Sequence, residues 1–289
     1  MVDDVTGTPP PKNKIIWLAS FPKSGNTWVR LFLASFLAQS DQFDPNAALK
    51  GSFHDANREI FDHLVKVQSA ELSNQVIAAL RLPFLDKLAT KGQHDIIVKT
   101  HVVHATWNDS ALIPPPVSRK AIYVVRHPFD VACSMSRHMG ISLDDAVTNM
   151  NNPQFCIGSG NQLLQPVHTW SKHVDSWMNN TAMDRLVIRY EDLLARPHLT
   201  FASLLGFLAL PTTSGKIDHA VAQTQFSNLQ TFERQSGFVE TSPHNSDGFF
   251  ANGTAGGYRK LLSQAQQDQL WQDHHDVMQR LGYGPNGEY

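Results

Sequence analysis

The residues best suited to chemistry begin with Lys23-Ser24-Gly25-Asn26-Thr27, which follows the apolar run Ile15-Ile16-Trp17-Leu18-Ala19 and precedes a stretch of helical apolar spacing. Strand, tight loop and helix in that order aim backbone N–H groups and a helix N-terminus at one anion, with Lys23 as counter-charge. This is a phosphate cradle in outline. It is not the usual nucleoside-triphosphate loop, because its lysine precedes the single glycine and the G-x-x-x-x-G-K-[ST] spacing is absent. The bland alternative is an ordinary turn capped by Ser24, Asn26 or Thr27. Arg126 ends a second apolar run, and Ser134 follows eight residues later on a helix that Pro128 can start. A guanidinium fork and a hydroxyl suit a phosphate monoester, unless Arg126 is spent on Asp130. His101 stands two residues after Lys99 at the end of Ile96-Ile97-Val98, and imidazole titrates nearest neutrality, as a general base requires. Histidine spacing offers no metal site: His104 lacks a third clustered ligand beside His101, and His168, His173, His274 and His275 read as solvated helix positions.

The elements that must position these groups are short apolar strands separated by helices. Ile15 to Ala19, Ile96 to Val98, Ala121 to Val125 and Leu186 to Ile188 read as strands, and Thr27 to Ala38 as a helix. Alternation of this kind predicts a three-layer α/β/α fold with a central parallel sheet, similar in outline to P-loop nucleotide-binding folds. Ligands of such sheets bind at the carboxyl ends of the strands, where Lys23, His101 and Arg126 all fall. The polar region from Gly140 to Gln165 reads as an irregular loop. The Gly-rich stretch Gly248 to Gly257 reads as a flexible loop before a polar helix, Ser263 to Leu281, whose Asp268, Asp273, Asp276 and Arg280 form an exposed face. Residues 1–13 read as a disordered leader and 14–289 as one domain, since neither repeat nor linker divides the chain.

Composition narrows the partners. Of 289 residues, 24 Lys+Arg face 26 Asp+Glu, a net charge of −2 that argues against nucleic acid held by bulk electrostatics, so any anion must be bound locally. Cys133 and Cys156 are too few for a disulfide framework. Met1 to Pro11 carries acids and prolines where a signal peptide has a basic segment and apolar core, and Val29 to Ala38 is about half the length a bilayer needs. A cytoplasmic protein without a membrane span is expected.

Phe21-Pro22-Lys23-Ser24-Gly25-Asn26-Thr27-Trp28 resembles the 5′-phosphosulfate-binding loop of the sulfotransferase family, which moves sulfuryl groups from 3′-phosphoadenosine-5′-phosphosulfate (PAPS); the family often has Thr where Asn26 stands. Val98-Lys99-Thr100-His101 is similar to the block of the family's catalytic histidine. Val124 to Ser134 resembles the block whose Arg and Ser grip the 3′-phosphate, and Arg189-Tyr190-Glu191-Asp192-Leu193 the segment whose tyrosine lies near the adenine. The likeness runs in order from about Ile15 to about Leu281. It implies His101 as base, Lys23 and Lys99 neutralising charge on the leaving phosphate, and a donor site built from Lys23, Ser24, Gly25, Asn26, Thr27, Trp28, Arg126, Ser134 and Tyr190. Thr224 also resembles a nucleotide contact. A sulfuryl group carries less charge than a phosphoryl group, so no metal is expected.

Departures accompany the likeness. The family's last block pairs Arg-Lys with Gly, whereas Ala251-Asn252 precede Gly253 here, leaving Gly253 to offer its N–H and Arg259 or Lys260 to swing in. The family's dimer pattern keeps only Arg259, Ser263 and Asp268, so the oligomeric state is open. Phe21, the stretch after Gly51, the Gly140 to Gln165 region and Phe249-Phe250 would line a pocket for a small or mid-sized acceptor bearing a hydroxyl or amine. A non-catalytic nucleotide-binding module and a P-loop kinase are the competing readings; the kinase needs a metal-holding acid at a strand end, where this chain has Arg126-His127.

Overall fold

The computed structural model describes residues 14–92, 94–245, 248–251 and 253–286; the expected leader and Asn252 lie outside them. β1 spans Ile15–Ser20 and is buried throughout. Successive strand side chains point to opposite faces. Accordingly Ile15, Trp17 and Ala19 enter one core, while Ile16 and Leu18 enter another on the far side of the sheet. An uninterrupted apolar run is the signature of a strand covered on both faces.

The other strands are β2 (Phe53–His54), β3 (Ile96–Thr100), β4 (Ser118–Val125) and β5 (Asp184–Arg189). They assemble in the order β2-β3-β1-β4-β5, and every pairing is parallel. All carboxyl ends therefore share one edge, and β1 lies at the point where chain order reverses. Register places both Leu18 of β1 and His54 of β2 opposite Lys99 of β3.

One face is covered by α1 (Asn26–Ala38), α4 (Pro197–Phe207) and α5 (Ser214–Gln223), which bring Val29, Phe32, Phe201, Leu204 and Ala220 onto Leu18 and Ile122. The other is covered by α2 (Pro128–Met139), α3 (Trp170–Met178) and α6 (Gln264–Arg280), with Phe129, Trp170, Trp177 and Met278 among their buried residues. The three-layer α/β/α expectation holds. Ser263 closes a reciprocal capping box with Gln266 at the start of α6, within a residue of the expected boundary.

Two details differ from expectation. The Gly140 to Gln165 region holds a helix, Leu143–Met150, capped by Ser142, and a two-residue pairing of Cys156–Ile157 with Gln165–Pro166. Buried Ala146, Val147 and Met150 supply the helix's apolar face amid polar neighbours. His173 and His274 are buried, not solvated, at 0% and 2% exposure.

Candidate active site

At the shared strand edge lies a cavity of about 620 Å³ lined by Lys23, Gly25, Asn26, Thr27, Trp28, Lys99, His101, Arg126, Ser134, Tyr190, Thr224 and Gly253. Ser24 is fully buried beside it and is not part of the lining. The loop after β1 turns through left-handed backbone at Lys23 (φ 69°) and Gly25 (φ 106°). A Cβ at Gly25 would meet Cδ2 of Tyr190 at 2.6 Å, so glycine is required here by both backbone and neighbour. No side chain caps α1, so the bland alternative of a conventionally capped turn fails and the helix's first N–H groups have no side-chain cap.

Within that loop the side chains divide their labour. Asn26 turns its amide inward, donating to the Leu18 carbonyl at 3.0 Å and to Ser20 Oγ at 3.4 Å, which ties the loop to β1. Ser24 Oγ and Trp28 Nε1 are buried without a hydrogen-bond partner among the described residues. Trp28 meets Tyr190 edge-on, with ring centroids 6.0 Å apart. Lys23 Nζ stands 4.3 Å from the Phe249 ring centroid. Burial pushes the Lys23 ammonium down to about 7; Glu240 pulls it up, while Lys99, Arg137 and Arg126 push further down.

His101 follows β3 directly. Its Nδ1 lies 2.8 Å from the Ser20 carbonyl oxygen, which can only accept, so Nδ1 carries the proton and Nε2 keeps its lone pair. Burial, reinforced by the Lys99 charge, holds His101 well below the ordinary histidine value, so the ring is neutral at pH 7. Behind it, His173 Nε2 donates to the His101 carbonyl at 3.1 Å and Nδ1 accepts from Tyr123 OH at 2.8 Å. Burial lowers His173 to about 3, which keeps this supporting hydrogen-bond pair uncharged.

Arg126 leaves the end of β4 with Nη1 on the Lys23 carbonyl at 3.4 Å and Nη2 on the Thr254 carbonyl at 3.1 Å, its guanidinium 4.3 Å above the Tyr190 ring. The suspected partner, Asp130, is used otherwise: it accepts the N–H groups of Gly256 at 2.7 Å and Tyr258 at 3.1 Å, docking the Gly-rich loop on α2. Gly253 (φ 56°) packs so tightly on Phe226 that a Cβ would meet that ring at 2.2 Å. Thr224 Oγ1 donates to the Ala220 carbonyl at 2.7 Å, so its proton is spent on the end of α5. Arg259 reaches the Asn286 carbonyl instead of the cavity, and Lys260 is exposed.

Sequence reasoning missed several lining groups. His54 comes from β2, lowered by burial to about 4, and its ring stands 6.4 Å from that of His101. Arg137 and His138 lie a turn beyond Ser134 on α2. Glu240 reaches in from a distant loop: Thr27 Oγ1 donates to its Oε2 at 2.6 Å, Arg30 Nη2 to its Oε1 at 2.5 Å, and Lys99 Nζ lies 3.4 Å from Oε1. Burial opposes its charge, yet Lys99, Arg30 and the Thr27 hydroxyl outweigh it and hold the carboxyl well below the usual range. Arg30, the one charged residue in α1, was the available signal. Ile157, Phe249 and Phe250 also line the cavity, whereas Phe21 is buried in the core against His173 and Phe155. Among the described residues no three His, Cys, Asp or Glu side chains are grouped to hold a metal.

The family profile described as "Sulfotransferase domain" matches residues 13–282. Cytosolic sulfotransferase 14 of Arabidopsis thaliana is 24% identical over 261 residues, covering 88% of this chain and 72% of that protein; Sulfotransferase 1B1 of Canis lupus familiaris is 24% identical over 269 residues, covering 88% and 80%. Among solved structures, mouse sulfotransferase SULT7A1 complexed with PAP superposes with a TM-score of 0.59 at 17% identity, covering 93% of this chain and 87% of that one. Retinol dehydratase in complex with retinol and PAP gives 0.61 at 16% identity, covering 93% and 82%. These likenesses show the same fold, and the profile match over nearly the whole chain shows the family: the chain belongs to the sulfotransferase domain family, and it is a sulfotransferase.

Proposed function

We propose that this enzyme transfers the sulfuryl group of PAPS to a hydroxyl, or an amine, of a small acceptor, with His101 as general base. The observation that carries the reading is the fixed tautomer of His101: Nδ1–H is spent on the Ser20 carbonyl, and a neutral Nε2 remains in the cavity shared with Lys23, Lys99 and Arg126. The cavity's own unmet needs fit the donor. Buried Trp28 Nε1 and Arg126 Nε in the lining, and Ser24 Oγ just behind it, lack partners among the described residues, and a polyanion with an adenine ring offers acceptors and a stacking face.

In this reading the loop N–H groups, Thr27 and Lys99 hold the 5′ end, Arg126 and Ser134 the 3′-phosphate, and Trp28 with Tyr190 the adenine. Gly253 contributes its backbone N–H, and Thr224 contributes packing more than a proton. The donor supplies an activated sulfuryl group on a phosphate leaving group. His101 Nε2 takes the acceptor's proton as the acceptor oxygen or nitrogen bonds the sulfur and the bond from sulfur to the 5′-phosphate oxygen breaks, and Lys23 and Lys99 oppose the charge gathering on that departing oxygen. Positioning and electrostatics suffice for such a loose displacement, by analogy with phosphoryl transfer. On the acceptor side Ile157, Met139, Phe249 and Phe250 give an apolar wall with His54 and His138 as polar points, which supports a small, partly apolar molecule.

The plant relatives' names carry the word cytosolic, and no helix among the described residues is long and apolar enough to cross a membrane, which supports the expected cytoplasmic location. The test is calorimetric titration with adenosine 3′,5′-bisphosphate beside ATP, with and without magnesium. Metal-independent preference for the bisphosphate is expected; metal-dependent ATP binding without it would put the kinase reading first.

A further inference from the structure

The carboxylate of Glu240 rests where an anion should. Its Oε2 accepts from Thr27 Oγ1, in the first turn of the uncapped α1, and its Oε1 faces Lys99 Nζ and Arg30 Nη2. Thr27 and Lys99 are the groups that the donor reading assigns to the sulfuryl and 5′-phosphate end, so one pair of donors is asked to serve two anions. Two like charges cannot share such a seat in a partly desolvated cavity.

The chain around Glu240 is anchored on both sides. Upstream, Asn46 grips both the Gly237 carbonyl at 3.1 Å and the Val239 N–H at 2.9 Å. Downstream, Thr241 Oγ1 donates to Glu233 at 2.5 Å. Phe238 is buried between Phe249 and Phe250, whereas Val239 is 48% exposed. The Thr241 N–H also closes a turn over Glu240 on the Phe238 carbonyl at 3.0 Å, so the backbone is anchored on both sides and the side chain is the part that can swing. Arg30, fixed by Ser52 Oγ at 3.2 Å, can keep the carboxylate as it leaves Thr27 and Lys99.

We propose that Glu240 is an internal competitor for the sulfuryl end of the donor site and sets its selectivity: a ligand must evict the carboxylate from Thr27 and Lys99 before its own 5′ anion can sit there. The proposal rests on the donor reading above. Short anions and 5′-mononucleotides offer only the contested contacts and are held off. A ligand that also reaches Arg126 and Ser134 through a 3′-phosphate has binding energy outside the contest. The apparent affinity of any 5′ anion falls by the fraction of molecules whose seat is open, so one molecule in ten open means a tenfold loss.

Calorimetry on the wild type and on E240Q, using adenosine 3′,5′-bisphosphate and adenosine 3′-monophosphate, tests this. The near-isosteric glutamine removes the competing charge, so the bisphosphate should bind E240Q tenfold or more tighter, while the 3′-monophosphate, which does not reach Thr27 or Lys99, stays within twofold. Unchanged or weaker bisphosphate binding would overturn the proposal, as would an equal gain for both ligands. If E240Q does not fold, E240D shortens the reach by one methylene and should also tighten the bisphosphate; equal affinity to wild type overturns it. Absence of bisphosphate binding to both proteins fails the donor reading separately, and the seat is then probed with inorganic sulfate, with the same tightening on E240Q required.

Discussion

At the level of single residues, the site works by deciding which groups carry protons. His101 is held neutral by burial and oriented by the Ser20 carbonyl, so replacing it would remove the proposed base without removing a cation from the proposed donor site. His101→Ala should slow transfer by roughly a hundredfold to ten-thousandfold while bisphosphate affinity stays within about threefold, which is the range general bases contribute. Matching losses in binding and turnover, by calorimetry and a transfer assay, would contradict the assignment. Lys23 behaves oppositely. Its ammonium is lowered to about 7, so in the free protein it loses its proton as pH rises through that value, and anion binding must restore it. Bisphosphate affinity should therefore fall between pH 7 and 9, by at most about tenfold per unit for one linked proton. Titration in buffers of different ionisation enthalpy should show net proton uptake above pH 8, and Lys23→Gln should flatten the profile. A wild-type affinity that does not change over this range would refute the linkage. The loop, His101 and Arg126 were legible because each lies within a few residues of the end of an apolar run. Glu240 was not, since its partners Thr27 and Arg30 lie more than 200 positions away in sequence. A lone arginine among the apolar residues of α1 advertised a buried partner without saying which.

Elements, in turn, are set against one another by a few carboxylates that accept backbone N–H groups. Asp130, 3% exposed in the first turn of α2, accepts from Gly256 and Tyr258 and so ties the Gly-rich loop to the helix that also carries Ser134. Glu233 does the same for Phe249 and Phe250 on the other limb of that loop. Asp130→Ala leaves two N–H groups without their acceptor and should cost about 1–3 kcal/mol of stability. Because Arg126 Nη2 rests on the neighbouring Thr254 carbonyl, the variant should also weaken bisphosphate binding, with proteolysis of the wild type and variant compared to locate the loosened segment. Unaltered affinity together with unaltered proteolysis would sink the docking role. These connections explain the limits of sequence reading at this scale. β1, β3, β4 and β5 announced themselves as unbroken apolar runs, whereas β2 is two residues long and exists only because Phe53 and His54 align with Val98 and Lys99. The helix Leu143–Met150 escaped notice because its three buried residues are scattered among polar ones.

Over the whole molecule, the sheet edge that carries the cavity is also where the fold spends buried charge. Asp55, with no exposure, pairs with Arg81 and accepts from Thr100 Oγ1 at 2.7 Å, while its N–H bonds the Lys99 carbonyl at 3.2 Å. One carboxylate thereby joins β2, β3 and the helix Arg81–Ala89 directly beneath His54 and Lys99. Removing it leaves Arg81 as an uncompensated buried charge, and Asp55→Ala should lose about 3–5 kcal/mol in urea unfolding. A loss below about 1 kcal/mol would show that the pair is dispensable. Replacing both partners by apolar residues should recover much of the loss, because the penalty lies in the orphaned charge more than in the missing bond.

The two-sided burial of β1 has an evolutionary corollary. Every residue from Ile15 to Ser20 faces one of two packed cores or the site itself, and the cradle begins at the next position. No single-residue insertion or deletion is neutral in such a strand, since it exchanges the two faces and moves the loop by one step. Exposed loops can take up insertions, but the central strand can diversify only by volume-matched substitution.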